Sequence, residues 1–220
     1  MSKTRKELID WPVTTLDILR HGKPEGGEIF RGSTDVPIGG IGLEQMHASV
    51  KKLKVQDRSD YSKPLFVYTT ILTSPLRRCQ SFAEEIAEAE NKALNIHSGL
   101  REICFGVWDG LSIESVKQDS PEAFNNYWRD PTACCPPEAE PFDQFSIRVT
   151  EALEDIIQTY QGEHCLLVTH GGVVRAILNR VLGGNASSFM RYEVPYACIS
   201  RIRVYHDDDQ DHYQLFFHNR

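Results

Sequence analysis

The sequence predicts an α/β fold, and three observations lead to that expectation. Short apolar segments of strand length alternate along the chain with longer segments of helical periodicity. Two of the apolar segments, Thr14–Leu19 and His164–Val168, lead into a histidine that is followed by glycine. The chain has 220 residues, which is enough for one well-filled core. We therefore expect a single domain over residues 1–220, with residues 1–12 as an N-terminal extension.

The order of the other elements follows from periodicity and from the positions of glycine and proline. Further strands are expected at Leu65–Leu72 and Leu94–His97, and a hairpin at Cys198–Tyr205 and Tyr213–Phe217. Helices are expected at Leu43–Lys54, Arg77–Glu90, Phe142–Gln161 and Val173–Leu182, with two short ones in Ile113–Asp130 that are split at Pro121. Gly22–Gly40 and the proline-rich Pro131–Pro141 are expected to be loops.

The charge and the cysteine content restrict the kind of partner. A net charge of −7 argues against a broad surface for nucleic acid or membrane, so an anionic substrate would need a local cluster of arginines. The six cysteines lack zinc-ligand spacing, and neither a metal nor another cofactor is expected. Since the N-terminus lacks a signal-peptide core and no apolar run reaches membrane-helix length, a soluble cytoplasmic protein is expected.

His21 and His170 are the strongest candidates for a functional role. His21 follows Arg20 and precedes Gly22, and His170 precedes Gly171, each at the end of an apolar strand. A lone histidine at a strand end is more often structural than catalytic, and the other six histidines are interpreted in that way. Open α/β sheets bind ligands beyond the carboxyl ends of their strands, so two neighbouring strands would direct both imidazoles into one crevice. A histidine pair beside an arginine suits transfer of a phosphoryl group to nitrogen.

Two further clusters lie between these histidines. Arg77 and Arg78 open an expected helix, whose N-terminal N–H groups and dipole favour anions. One of these two arginines is expected to meet phosphate and the other to be an ordinary solvated residue. Glu102 precedes the aromatic, glycine-punctuated segment Phe105–Gly110, and a carboxyl group beside apolar rings can serve as a proton donor.

Together these motifs resemble the histidine phosphatase (phosphoglycerate mutase-like) superfamily. In chain order they are Arg20-His21-Gly22, Ser74-Pro75-Leu76-x-Arg78, Leu100-x-Glu102-x-x-Phe105-Gly106-x-Trp108-x-Gly110 and Thr169-His170-Gly171-Gly172. The resemblance extends from about Thr14 to Leu182. A lone Arg-His-Gly triplet would be weak evidence, but four ordered motifs are specific. Arg78-Cys79 and the stretches after Glu102 and His170 are most similar to the α-ribazole-phosphate phosphatase branch, which acts late in cobalamin assembly.

The resemblance implies both a fold and a mechanism. The fold is a three-layer αβα sandwich, with a mostly parallel central sheet and helices on both faces. In the mechanism, a neutral His21 is the nucleophile that forms a phosphohistidine, and Arg20, Arg78 and His170 surround the phosphoryl oxygens. Glu102 protonates the leaving group and then deprotonates the attacking water. No metal is required, because the arginines supply the positive charge.

One position departs from the family pattern. Many members carry an asparagine that touches phosphate shortly after the first motif, whereas this chain has Gly27 there. Arg31 is the candidate substitute, the alternative being an ordinary loop residue bound to Asp35. Arg31 and Gly171 are counted among the expected substrate contacts.

Three functions are open on the sequence alone. The first is a phosphomonoesterase, with α-ribazole 5′-phosphate as the favoured substrate and other small metabolites such as sugar phosphates as alternatives. The second is transfer of the phosphoglycerate mutase type, which calls for a longer, basic insert after the glutamate. Only Lys117, Arg129 and Arg148 are basic between Glu102 and His170, which favours hydrolysis. The third, a non-enzymatic binding module, is disfavoured because all the expected catalytic residues are present.

The expected partner is a small phosphorylated metabolite. Neither nucleic acid nor membrane is expected to bind. The oligomeric state is left open, with a homodimer as one alternative.

Overall fold

The computed structural model describes residues 11–57 and 68–219, which contain one six-stranded sheet. Its strands are β1 (Val13–Arg20), β2 (Thr70–Thr73), β3 (Ala93–Ile96), β4 (His164–Thr169), β5 (Ile199–His206) and β6 (Asp211–Phe217). The spatial order is β3-β2-β4-β1-β5-β6. The first four strands pair in parallel, whereas β5 pairs antiparallel with both β1 and β6. The expectation of a mostly parallel sheet is confirmed.

Six α-helices lie in the described part of the chain. They are α1 (Gly40–Asp57), α2 (Arg77–Glu90), α3 (Ile113–Asp119), α4 (Pro121–Arg129), α5 (Phe142–Thr159) and α6 (Gly171–Val181). Short 3-10 turns at Ser98–Leu100, Gly106–Trp108 and Ala186–Arg191 were not expected from the sequence. None of the described helices combines the length and the apolar character that crossing a bilayer requires.

The sheet separates two apolar cores, one on each face. Leu16 and Ile18 of β1 belong to the same core as apolar residues of α5 and α6. Leu19 of β1 belongs to the other core, with apolar residues of α1 and α2. Because successive side chains of a strand point to opposite faces, a strand that is buried on both sides needs helices on both sides. This arrangement confirms the three-layer αβα sandwich.

The expected order of elements is confirmed, and several boundaries coincide with the expectation. α2 covers the expected residues Arg77–Glu90, and Pro121 is the first residue of α4, where its missing N–H costs nothing. Of the expected strand Leu65–Leu72, residues 65–67 lie outside the described residues, and β2 covers Thr70–Thr73. Residues 1–10 of the expected N-terminal extension also lie outside them.

Two helices begin earlier than the sequence predicted. α1 begins at Gly40 instead of Leu43, and α6 begins at Gly171 instead of Val173. The N–H groups of a first helical turn have no intrahelical partner, and the backbone there is only partly constrained. Glycine is therefore tolerated at these positions, although helix propensity argues against it.

The strand order determines where the candidate residues meet. In the parallel pair of β1 and β4, Arg20 lies opposite Thr169, and the His21 N–H donates to the Thr169 carbonyl at 2.8 Å. β2 pairs with the other side of β4. The residues that follow β1, β4 and β2 therefore emerge together at the carboxyl edge of the sheet, where ligands of such folds bind.

Candidate active site

His21 lies at this edge in a state that suits a nucleophile. Its side chain is 5% exposed, and Nδ1 donates to the carbonyl of Gly22 at 2.8 Å. This bond places the proton of a neutral ring on Nδ1 and leaves Nε2 with a lone pair. Burial lowers the pKa of His21 well below its ordinary value, and the positive charges of Arg78 and Arg20 lower it further. The imidazole is therefore neutral at physiological pH.

His170 stands against His21 and is neutral for the same reasons. The two ring centroids are 5.3 Å apart, and the rings meet at 65°. Nδ1 of His170 accepts from Nε of Arg78 at 3.2 Å, and Nε2 lies 2.7 Å from the Ser74 hydroxyl. Burial, followed by the charge of Arg78, lowers the pKa of His170 well below its ordinary value. Since an arginine can only donate, Nδ1 must be unprotonated, and the ring proton lies on Nε2.

The two adjacent arginines divide as expected. Arg77 is exposed, whereas Arg78 has no exposed surface. Besides its bond to His170, the Arg78 guanidinium donates to the carbonyls of Arg31, Gly32 and Thr34 at 2.9–3.0 Å. Arg78 is therefore the member of the pair that belongs to the site.

Arg20 is held at the edge of the site by two contacts. One terminal nitrogen donates to the carbonyl of Val194, and the guanidinium carbon lies 4.2 Å from the centre of the Tyr196 ring. Its Nε is buried and has no hydrogen-bond partner among the described residues. A buried N–H group without an acceptor is costly. Arg20 therefore offers a donor that an anion could satisfy.

Arg31, the candidate substitute for the missing asparagine, is fixed by its own loop. It is 8% exposed, and one terminal nitrogen donates to the carbonyls of Glu25, at 2.7 Å, and of Gly27. Its buried Nε has no partner among the described residues. The alternative contact with Asp35 is not formed, and the Asp35 carboxylate accepts from the backbone N–H of Arg77 at 2.8 Å instead.

Glu102 is fixed next to the first turn of α6. One carboxyl oxygen accepts from the N–H of Ile103 and the other from the N–H of Gly172, both at 3.0 Å. A Cβ atom added at Gly172 would lie 2.2 Å from a Glu102 oxygen. Only glycine at this position allows the carboxyl group to approach the helix so closely.

A cleft of about 220 Å³ opens in front of these groups. Arg20, His21, Arg31, Glu102 and Gly171 line it. Arg78 and His170 lie behind His21 and are fully buried, so their contact with a substrate stays a prediction. The structure thus brings all the expected site residues together, five of them at the cleft wall and two beneath it.

Sequence reasoning missed much of the cleft wall. Phe105, which the motif after Glu102 contains, lines it, and six further lining residues are aromatic or cationic: Phe30, Tyr127, Trp128, Arg175, Phe189 and Tyr196. Arg175 could have been found, because it lies one helical turn after Gly171 and so on the same face of α6. The aromatic residues carry no local signal, since they come from loops and short helices that are distant in sequence.

Comparison with protein families gives one match that covers most of the chain. The family described as the histidine phosphatase superfamily (branch 1) matches residues 16–213. A bifunctional protein of Mycobacterium tuberculosis is 27% identical over 196 residues, which are 88% of this chain and 51% of that protein. This chain therefore spans about half the length of that relative. A metal-independent phosphoserine phosphatase of Arabidopsis thaliana is 28% identical over 181 residues, which are 79% of this chain and 71% of the relative.

Solved structures share the fold. Mycobacterial glucosyl-3-phosphoglycerate phosphatase has a TM-score of 0.80 at 20% identity, covering 94% of this chain and 99% of that chain. The α-ribazole phosphatase from Shigella flexneri has a TM-score of 0.76 at 23% identity, covering 94% of this chain and 96% of that chain. At such identities the likeness establishes the fold alone.

Proposed function

Because the chain belongs to the histidine phosphatase superfamily, whose matched members are named phosphatases and phosphoglycerate mutases, we propose that it is a phosphomonoesterase acting through a phosphohistidine on His21. The observation that carries this proposal is the state of His21. Its ring is neutral, its Nδ1 proton is engaged by the Gly22 carbonyl, and the charges of Arg78, Arg20 and Arg31 act on the ring.

Two displacements at phosphorus make up the reaction. The lone pair of His21 Nε2 forms a bond to phosphorus while the bond from phosphorus to the leaving oxygen breaks. The Glu102 carboxyl group donates a proton to that oxygen and so releases an alcohol. A water molecule then attacks the phosphohistidine, Glu102 accepts its proton, and cleavage of the P–N bond regenerates His21 and releases phosphate.

The arginines neutralise the charge on the transferring phosphoryl group. Arg20 and Arg31 line the cleft, each with a buried Nε that has no partner among the described residues, and Arg78 adds a third positive charge close to His21. Fixed positive groups in a buried site stabilise a developing anion far more than the same groups do in water. No metal is needed in this scheme, and activity should survive EDTA.

The favoured substrate is α-ribazole 5′-phosphate, whose leaving group carries a planar ring system. The aromatic wall of the cleft supports this choice, because the rings of Phe30, Phe105, Tyr127 and Trp128 adjoin one another with centroids 5.1–6.0 Å apart. A sugar phosphate or 3-phosphoglycerate would leave most of this wall without an apolar partner.

Arg175 favours a second candidate, a phosphate ester that also carries a carboxylate. Its Nε donates to the Tyr192 carbonyl at 3.0 Å, and its terminal nitrogens have no hydrogen-bond partner among the described residues. Arg175 lines the cleft, as do Glu102 and Gly172. The phosphoserine phosphatase among the relatives makes phosphoserine the substrate to test for this candidate, and 3-phosphoglycerate tests the mutase alternative.

The test combines turnover with trapping of the intermediate. The wild type should release phosphate from p-nitrophenyl phosphate and, faster, from α-ribazole 5′-phosphate, and acid quenching after brief mixing should trap acid-labile, base-stable phosphate on the protein. His21→Ala should abolish both signals, whereas the control His47→Ala, at a half-exposed histidine outside the site, should retain them. Equal turnover by wild type and His21→Ala would overturn the proposal. Conversion of 3-phosphoglycerate to its isomer without phosphate release would favour the mutase.

We also propose that the reaction takes place in the cytoplasm. The six cysteines are free thiols, which suits a reducing compartment. The proposed partner is a small phosphorylated metabolite.

A further inference from the structure

Asp109 collects hydrogen bonds from the loop that follows Arg31. Its Oδ1 accepts from the N–H of Gly32 at 2.6 Å, and from the N–H and hydroxyl of Thr34 at 3.4 and 3.3 Å. Its Oδ2 accepts from the N–H and hydroxyl of Ser33 at 3.1 and 2.9 Å, from the N–H of Phe105 at 3.0 Å and from the thiol of Cys104 at 3.5 Å. Three successive backbone N–H groups therefore converge on one carboxylate.

The carbonyls of the same loop point to Arg78. The Arg78 guanidinium donates to the carbonyl oxygens of Arg31 and Gly32 and, through its other terminal nitrogen, to that of Thr34. The loop is thus held between a negative group on its N–H side and a positive group on its C=O side. Its peptide dipoles are oriented so that both charges are stabilised.

This arrangement explains how Arg78 is buried without an acidic partner. Arg78 has no exposed surface, and no carboxylate among the described residues forms an ion pair with it. A buried charge is costly unless it is paired or well solvated by dipoles. The loop carbonyls supply those dipoles, and Asp109 fixes their direction.

Asp109 also remains charged in its half-buried position. Burial by itself raises its pKa, but the donors on Ser33, Phe105 and Gly32 outweigh this effect, and the net pKa lies below the ordinary aspartate value. The backbone of the loop is closely packed at Gly32. A Cβ atom added at Gly32 would lie 2.2 Å from the Ile103 carbonyl oxygen and 2.8 Å from Asp109 Oδ2.

We propose that Asp109 is a positioning residue that acts through the Gly32–Thr34 loop to hold Arg78 at the phosphoryl pocket. The assignment rests on the proposed function in that it gives Arg78 a phosphoryl group to stabilise. Asp109 touches neither substrate nor nucleophile, since it does not line the cleft.

The central variant is Asp109→Asn, which keeps the size of the side chain but presents an amide N–H to the loop donors. Because the effect passes through the phosphoryl pocket, kcat/KM for p-nitrophenyl phosphate and for an alkyl phosphate should fall by the same factor. A displacement of about 1 Å can cost about 10²-fold in rate, which bounds the expected loss. The affinity for vanadate, which calorimetry measures without any turnover, should fall by a similar factor.

The matched control is Asp130→Asn. Asp130 also holds a loop, accepting from the N–H and hydroxyl of Thr132 at 2.9 and 2.6 Å, but it makes no contact with Arg78. This variant should leave vanadate affinity unchanged. Melting temperatures of both variants show what each carboxylate contributes to stability alone.

A double-mutant cycle separates positioning from general stability. In an Arg78→Lys background, Asp109→Asn should cost little further vanadate affinity, because the group that it positions is already altered. If Asp109→Asn does not fold, Ser33→Ala removes one donor to the same carboxylate and should weaken vanadate by a few fold.

The outcomes are distinct. Additive losses with Arg78→Lys, or a lowered melting temperature with unchanged vanadate affinity, would overturn the assignment, as would unequal losses on the two phosphate esters. Failure of the wild type to hydrolyse any phosphate ester would instead defeat the proposed function, and the vanadate cycle would still decide the role of Asp109.

Discussion

At the residue scale, the reactivity of His21 depends on its surroundings. A solvated imidazole titrates near neutral pH, so an exposed nucleophile would be partly protonated. Burial and the charges of Arg78 and Arg20 favour the neutral ring, and the Gly22 carbonyl selects the tautomer. The same arginines that would stabilise the phosphoryl group therefore keep the proposed nucleophile unprotonated.

Glu102 can be separated from the phosphoryl pocket by the choice of leaving group. Glu102→Gln should reduce phosphorylation of the enzyme by an alkyl phosphate by about 10²–10⁴-fold, because a basic alkoxide needs a proton donor. Phosphorylation by p-nitrophenyl phosphate should change much less, since its leaving group is stable as an anion. The ratio of the two pre-steady-state rates is the measurement. An unchanged ratio would assign Glu102 a structural role.

Arg31 is predicted to supply the phosphate contact that Gly27 cannot make. Arg31→Met removes the charge and the unpartnered Nε while retaining an extended apolar stem, and should lower kcat by about 10²-fold, the usual cost of losing one donor to a developing anion. As the control, Arg77→Met removes an exposed arginine that does not line the cleft, and it should have little effect. Equal effects of the two substitutions on phosphate release would contradict the prediction.

At the scale of elements, the first turn of α6 holds Glu102 beside the cleft. Gly171 and Gly172 bring its free N–H groups to the cleft, and the N–H of Gly172 holds Glu102. A helix N-terminus is suited to anions because of its dipole and unpaired donors. The early start of α6 at glycine, which propensity did not predict, is therefore the feature that positions Glu102, the proposed proton donor.

Gly172→Ala tests whether the first turn of α6 positions Glu102. The added Cβ would lie 2.2 Å from Glu102 Oε1 and must displace the carboxyl group. We expect the same pattern as in Glu102→Gln. Phosphorylation of the enzyme should fall by about 10²-fold with alkyl phosphates and by less with p-nitrophenyl phosphate. Gly40→Ala is the control, since Gly40 also starts a helix but has no atom within 4 Å of the added Cβ. A uniform loss on both substrates would mean that the phosphoryl pocket had moved instead.

At the scale of the whole molecule, the buried histidines link stability to pH. Both His21 and His170 have a pKa lowered from 6.5 in the folded state, whereas in the unfolded chain they regain the ordinary value. Below pH 6.5 the unfolded state therefore binds more protons, and folding becomes less favourable as pH falls. The stability that these neutral histidines contribute is fully present above pH 6.5.

We expect the free energy of unfolding to decrease between pH 7 and pH 5, by up to about 1.4 kcal/mol per pH unit for each of the two histidines. Denaturant titrations at several pH values measure this slope. In His170→Gln the slope should be shallower by the share of one histidine. An identical slope in wild type and variant would show that other groups dominate the dependence.

Much of the fold could be predicted from the sequence because its signals are local. Apolar runs, helical spacing and Pro121 lie within single elements, and they predicted the order of elements and several of the boundaries. The two candidate histidines were recognisable for a similar reason, since each lies at the junction of one strand with one glycine. The ordered motifs then added a family, and with it the expected roles of Arg20, Arg78 and Glu102.

Only the tertiary structure decided which contacts these residues make. That Arg31 turns to Glu25 and Gly27 instead of Asp35, that Tyr196 lies against Arg20, and that Asp109 and Arg78 hold one loop between them all depend on segments far apart in sequence. Such contacts have no periodicity, and the chain forms them only after the sheet places β1, β2 and β4 side by side. The sequence by itself therefore determined the elements and the candidate groups, whereas packing between distant segments determined the charge states and positions on which the proposed chemistry depends.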